Sequence, residues 1–194
     1  MLNPTWLKIA TITLLLGISN VQAATISVDM VPGGNRQDQL TIYDTPNFSV
    51  DILIEDVNDL AGFQFDLGFD GSLLLVDSIT SGNFFGTDTW SLISDINSQT
   101  ISFSETTFAT GLDVSSPVVL ATINFQAINP GTSGIVLSSV VLTDSLAATI
   151  TPVTLQNGSV SMAPVPLPSA IFFFLPGIAW LLRSNRFFHP KPKS

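Results

Sequence analysis

From Ala24 to Ala163 the chain holds no His, Lys or Cys, so any acid–base pair there falls to carboxylates. Without a thiol, cysteine catalysis and thiolate zinc sites are excluded. Acid–base work would need a carboxylate pair, as in glycoside hydrolysis. Asp66 and Asp70 stand four residues apart on one face of an alternating run. At about 3.4 Å per residue their side chains project about 13–14 Å apart. That is wide against the about 5–9.5 Å that such pairs use, so the sequence predicts a protein that is not an enzyme. The densest acidic cluster is Asp51, Glu55, Asp56, Asn58 and Asp59. Oxygen-rich loops can bind calcium, which makes Asp51, Glu55, Asp56 and Asp59 calcium candidates. EF-hand spacing is absent, however, and a solvated acidic loop is the plainer reading. No other cofactor or metal is expected. The aromatic residues that could stack a sugar are Trp90, in the loop-like stretch Gly82–Leu92 with Phe84 and Phe85, and Tyr43. Packing at the rim of a core is the commoner fate of such rings. The candidate ligand face is Gln64, Asp66, Asp70 and Trp90.

Charge narrows the partners. All 15 Asp and Glu lie between Asp29 and Asp144, where Arg36 is the one basic residue, so this stretch carries −14. Such a field repels phosphate backbones and argues against nucleic acid. The remaining basic residues, Lys8, Arg183, Arg186, Lys191 and Lys193, flank two apolar ends.

The elements that must position the candidate face read as strands. Phe48–Glu55, Phe63–Asp70 and Ala121–Ala127 alternate apolar with polar residues, the pattern of a sheet buried on one side. Thr25–Met30, Gln39–Tyr43, Leu73–Thr80, Thr100–Ser104, Ile135–Thr143 and Val153–Met162 are further strands. Turn residues at Pro32-Gly33-Gly34, Gly71, Gly82, Asn129-Pro130-Gly131 and Asn157-Gly158 separate them. The expected fold class is all-β: a two-sheet antiparallel β-sandwich of jelly-roll type with about nine strands. Phe63, Phe65, Phe69, Ile123 and Phe125 should fill its core.

Both ends read as topogenic. Lys8 followed by apolar Ile9–Ile18 and then Val21-Gln22-Ala23 has the layout of a signal peptide over residues 1–23, with cleavage between Ala23 and Ala24. Residues 24–163 form the domain and 164–194 the C-terminal signal. There Val165-Pro166-Leu167-Pro168-Ser169-Ala170 leads an apolar run to Leu182, followed by Arg183 and Arg186. From Val165 to Leu182 the chain can just cross a bilayer as a transmembrane helix, at about 1.5 Å per residue. The basic flank places the tail in the cytoplasm.

This tripartite end resembles the PEP-CTERM sorting signal in its VPLPA-type form, with Ser169 where Ala is usual. The resemblance implies processing by an exosortase in a Gram-negative bacterium that makes exopolysaccharide. The precursor would be tethered to the inner membrane by its helix, and the product would reach the cell surface or extracellular matrix, as in a biofilm. The middle resembles the cohesin domain. The residues that carry this are Asp59-Leu60-Ala61-Gly62-Phe63-Gln64-Phe65-Asp66-Leu67-Gly68-Phe69-Asp70, then Leu74–Gly82, Leu120–Ala127, Ser139–Asp144 and Gly158–Met162. That resemblance implies a nine-stranded jelly roll and a non-enzymatic binding module whose partner is a dockerin-bearing protein. A carbohydrate-binding module for exopolysaccharide, and a structural matrix protein without a specific ligand, are the alternatives.

Overall fold

A computed structural model describes residues 23–43 and 45–163. The C-terminal segment with its expected membrane helix, and all of the signal peptide before Ala23, lie outside the described residues. Among the described residues no helix is long and apolar enough to cross a membrane.

The described chain is a sandwich of two β-sheets. In order the strands are β1 (Ala24–Asp29), β2 (Gln39–Ile42), β3 (Asn47–Glu55), β4 (Val57–Gly68), β5 (Leu74–Ser81), β6 (Thr89–Ile96) and β7 (Thr100–Thr107). They continue as β8 (Leu112–Val114), β9 (Val118–Ala127), β10 (Gly131–Asp144), β11 (Val153–Gln156) and β12 (Gly158–Met162). One 3-10 turn, Gly86–Asp88, precedes β6. The smaller sheet has the order β11-β1-β3-β9-β5. The larger runs β2-β12-β10-β4-β7-β6, with β8 pairing β4 off that path.

The chain changes sheets between β3 and β4 at Asp56, whose φ of +58° makes the sharp corner. Asp is among the few non-glycine residues that tolerate this left-handed backbone. Beyond the corner, alternation fixes which side chains go inside. Val50, Ile52 and Ile54 of β3 and Phe63, Phe65 and Leu67 of β4 all point into the sandwich and are buried. Phe63 and Phe65 stack 6.3 Å apart, and both rings meet Phe103 of β7, at 6.1 and 5.9 Å. Phe69 crosses to the other sheet and meets the edge of Phe125 at 5.4 Å. The five residues predicted for the core are all buried, and among the described residues the core cluster runs from Ala24 to Met162. A core of that extent is what a folding unit of this size needs.

Two expectations need correction. The sandwich has twelve described strands, and it is not purely antiparallel. β1 pairs β11 in parallel, and β12 pairs β2 in parallel. The reason lies at Asn157: Val153–Met162 reads as one strand, but Asn157 breaks it, sending β11 to one sheet and β12 to the other. The side chain of Asn157 instead accepts the N–H of Leu137, at 2.9 Å. The stretch Gly82–Leu92, expected as a loop, contains the start of β6. β6 has no inward apolar alternation to reveal it, because all its residues from Trp90 to Ile96 are exposed.

Candidate binding face

The outer surface of β10-β4-β7-β6 is assembled row by row. Register places Val141 of β10, Gln64 of β4, Ser104 of β7 and Ile93 of β6 side by side. The row on one side is Thr143, Gly62, Thr106 and Trp90; on the other it is Ser138, Asp66, Ser102 and Asp95. Because strand alternation puts the Phe residues inside, these polar and aliphatic side chains face out. Two irregularities aim them. Between Ser138 and Val141 the register shifts, and Ser139 has a φ of +49°. Between Ser91 and Ile93 a second shift leaves Leu92 and Ile93 together beside Ser104. Bulges of this kind re-aim side chains at functional surfaces.

The result is a shallow depression of about 190 Å³, lined by Gln64, Leu92, Ile93, Ser104, Val141 and Thr143 among others. Apolar groups stand exposed around it: Leu92 at 62%, Val141 at 41% and Ile93 at 39%. Gly62 leaves room in its floor for the Thr143 side chain, because a Cβ there would come within 2.5 Å of the Thr143 hydroxyl. The Ser104 hydroxyl is buried in the floor and has no hydrogen-bond partner among the described residues. A buried hydroxyl without a partner costs on the order of 1–3 kcal/mol. A ligand group could bond it only where the side chains covering it move aside, and the bond would then recover that cost. Asp66, by contrast, is already engaged, since the Ser102 hydroxyl donates to it at 2.6 Å.

The sequence-predicted site residues separate in space. Gln64, Asp66 and Trp90 share this outer face. Asp70 lies past the end of β4 in the turn to β5. There its N–H donates to the Ser133 hydroxyl at 3.0 Å, and its carboxylate accepts from the N–H and hydroxyl of Ser72 at 2.9 and 2.7 Å. Those bonds hold the Asp70 carboxyl below its ordinary value, the Ser72 hydroxyl first and the Ser72 N–H second. Phe84 and Phe85 pack inward, Phe85 against Phe63 at 5.9 Å. Trp90 instead meets the exposed Phe108 edge-on at 6.0 Å.

The four calcium candidates are dispersed. Asp51 faces out from β3 and accepts from the Thr122 hydroxyl at 2.6 Å. Glu55 ends β3, and Asp56 makes the corner. Asp59 accepts the Ser145 hydroxyl at 2.7 Å, and its own N–H donates to Asp113 at 2.9 Å. Among the described residues no group of three or more His, Asp or Glu stands close enough to hold a metal ion. Of the signal junction, Ala24 opens β1, buried, with its N–H donating to the Pro152 carbonyl at 3.2 Å. The sorting residues Val165, Pro166, Leu167, Pro168, Ser169, Ala170, Arg183 and Arg186 lie outside the described residues.

Sequence reasoning missed Leu92, Ile93, Ser104 and Val141. Ser104 owes its burial to neighbours on other strands, and nothing local encodes that. Leu92-Ile93 did carry a signal: two adjacent apolar residues in a polar stretch mark a bulge.

A two-sheet sandwich that presents one sheet face, half apolar and half polar, has the character of a binding module. The match to known families says which one. The family model described as "Cohesin domain" matches residues 46–162, and the chain belongs to that family. Among solved structures it is similar to a non-cellulosomal cohesin from the hyperthermophilic archaeon Archaeoglobus fulgidus, at 14% identity and a TM-score of 0.57, covering 73% of this chain and 92% of that one. It is also similar to the sixth cohesin of scaffoldin B from Acetivibrio cellulolyticus, solved in complex with a Cel5 dockerin, at 15% identity and a TM-score of 0.56, covering 73% of this chain and 100% of that one. The cohesin OlpA of Clostridium thermocellum, solved with a dockerin, is similar at 16% identity and a TM-score of 0.53, with coverage of 73% and 100%. Among curated proteins none matches this chain. Cohesin domains are non-catalytic binding modules.

Proposed function

We propose that this protein is exported and carries a cohesin domain that docks a dockerin-bearing protein on the outer face of β10-β4-β7-β6. The observation that carries the reading is the unpartnered Ser104 hydroxyl, in a depression rimmed by exposed aliphatic side chains. Desolvated polar groups ringed by apolar contacts are where binding energy concentrates. Asp66 and Asp95 make the face acidic, so the partner's rim is neutral or basic. Solved cohesins of similar fold in complex with dockerins support the class of partner. The signal layout of residues 1–23 and the tripartite end of residues 164–194 support export, membrane tethering and exosortase sorting to the cell surface or matrix.

The test is calorimetric titration of dockerin modules from the host cell into residues 24–163. Saturable one-to-one binding is expected for the wild type. Val141→Glu, which puts a charge at the exposed centre of the face, should weaken it by about tenfold or more, a loss of about 1.4 kcal/mol. Binding unaffected by Val141→Glu would place the partner elsewhere.

A second reading rests on a separate observation. Trp90 and Phe108 stand exposed at right angles beside Asp88, around a cleft of about 460 Å³. Exopolysaccharide could stack there. Retention of insoluble host polysaccharide by the wild type and its loss in Trp90→Ala would support this reading, and equal retention would remove it.

A further inference from the structure

β6 is an edge with little defence. It ends the larger sheet, with β7 its one neighbour among the described residues. Every residue from Trp90 to Ile96 is exposed, including Trp90, Leu92, Ile93 and Ile96. Natural edge strands are blunted by Lys, Pro, β-bulges, inward charge or short length, and of these β6 has the bulge at Leu92 alone. Thr89–Ile96 has eight residues, no Lys, Arg or Pro, and a single charge, Asp95, which faces outward.

We propose that β6 pairs antiparallel with β6 of a second copy, about a two-fold axis between Leu92 and Ile93. The register follows from which side chains face which way. Opposite β7, Trp90, Ile93 and Asp95 face Thr106, Ser104 and Ser102, on the outer side of the sheet. Thr89, Ser91, Ser94 and Ile96 face Thr107, Glu105, Phe103 and Ile101, on the inner side. The bulge keeps Leu92 outside with Ile93, and both line the same depression.

With Leu92 set opposite Ile93 of the second copy, Trp90 meets Asp95, Ser91 meets Ser94, and Thr89 meets Ile96. Every pair is then outer with outer or inner with inner, as a continuous sheet requires. A slip of one residue, to Ile93 on Ile93, sets outward Trp90 against inward Ile96 and inward Ser91 against outward Asp95. The bulge thus makes β6 self-complementary in one register. In that register Asp95 faces Trp90 and never its own copy, which avoids the cost of like charges directly opposed. The closure is isologous, so it stops at two copies.

The joint brings Leu92 and Ile93 of both copies together and leaves Gln64 and Val141 open. The area of one eight-residue edge falls below the about 1,200 Å² of a standard interface, so the dimer is weak. Each domain also carries strong negative charge, which salt screens beyond about 8 Å at 0.15 M. Pairing therefore tightens as salt rises.

The test is sedimentation equilibrium of residues 24–163 from about 5 to 500 µM, a span that brackets weak association. The average mass should climb from one domain toward two, more steeply in high salt. Leu92→Glu with Ile93→Glu should be monomeric throughout, as should Leu92→Lys with Ile93→Lys. An equimolar mixture of these two double variants should recover the dimer, because each carboxylate introduced in one chain then faces an ammonium introduced in the other. Circular dichroism melts confirm that each variant is folded. A wild type monomeric at every concentration, or a double variant that still dimerises alone, would overturn the proposal. So would a mixture that stays monomeric.

Discussion

Ser104 carries a desolvation cost that no bond among the described residues offsets. Its hydroxyl is buried and unpartnered among the described residues. Ser104→Ala is therefore predicted to leave stability unchanged or raise it by up to about 1 kcal/mol, while weakening partner binding. Urea melts and calorimetry on the same variant check both halves, and a clear loss of stability would mean that the hydroxyl has a partner in the fold. Asp70 behaves in the opposite way. Its carboxyl is held below its ordinary 3.8 by the Ser72 hydroxyl and N–H. A depressed native value means the fold favours the ionised form. Its contribution is full above pH 3.8 and fades as pH falls through the lower native value. Ser72→Ala should thus lower the Tm at neutral pH and matter less as pH falls through the native value, where Asp70 takes up its proton with or without the hydroxyl. Thermal melts of both proteins across that range measure the narrowing. The outward direction of Gln64 and Asp66 was legible from period-two alternation. The turn role of Asp70 was not, because the same alternation runs on through Phe69, past the last paired residue, Gly68.

At the scale of elements, what could be read depended on how one-sided each strand is. β3, β4 and β9 bury one face and showed it plainly. β6 buries neither face and was invisible as a strand. β11 and β12 merged into one despite the turn signal at Asn157-Gly158, because the break there is a change of sheet without a change of polarity. The cross-sheet contact of Phe69 with Phe125 ties the layers together, and the Phe63–Phe65–Phe103 cluster fills the inner face of the larger sheet. Phe65 is fully buried within that cluster. Phe65→Ala should cost about 3–5 kcal/mol, the range for a deleted core aromatic, as read from the shift in the urea midpoint. Glu105 adds a polar tie between the sheets. It is buried on β7 and accepts the hydroxyls of Ser81 on β5 at 2.9 Å and Ser91 on β6 at 3.3 Å. That tie anchors the inner side of the same β6 whose outer residues shape the binding face.

For the whole molecule, the described residues are a cohesin-family sandwich, which the proposed function sets between a signal for export and a signal for sorting. The acidic domain keeps the surface soluble and sets the sign of what it attracts. The fold class was legible because strand alternation and turn residues agreed along most of the domain. The binding face was legible only in part, since Val141, Ser104 and Ile93 come from three strands far apart in sequence and meet only through register. The central claim is that the face of β10-β4-β7-β6 is where a dockerin-bearing partner docks. Amide hydrogen exchange of residues 24–163, with and without a bound host dockerin module, tests it most directly. Slowed exchange should centre on the strands bearing Gln64, Ser104 and Val141, with β1, β3 and β9 unchanged. Protection confined to the smaller sheet, or to the Trp90–Phe108 cleft, would contradict it.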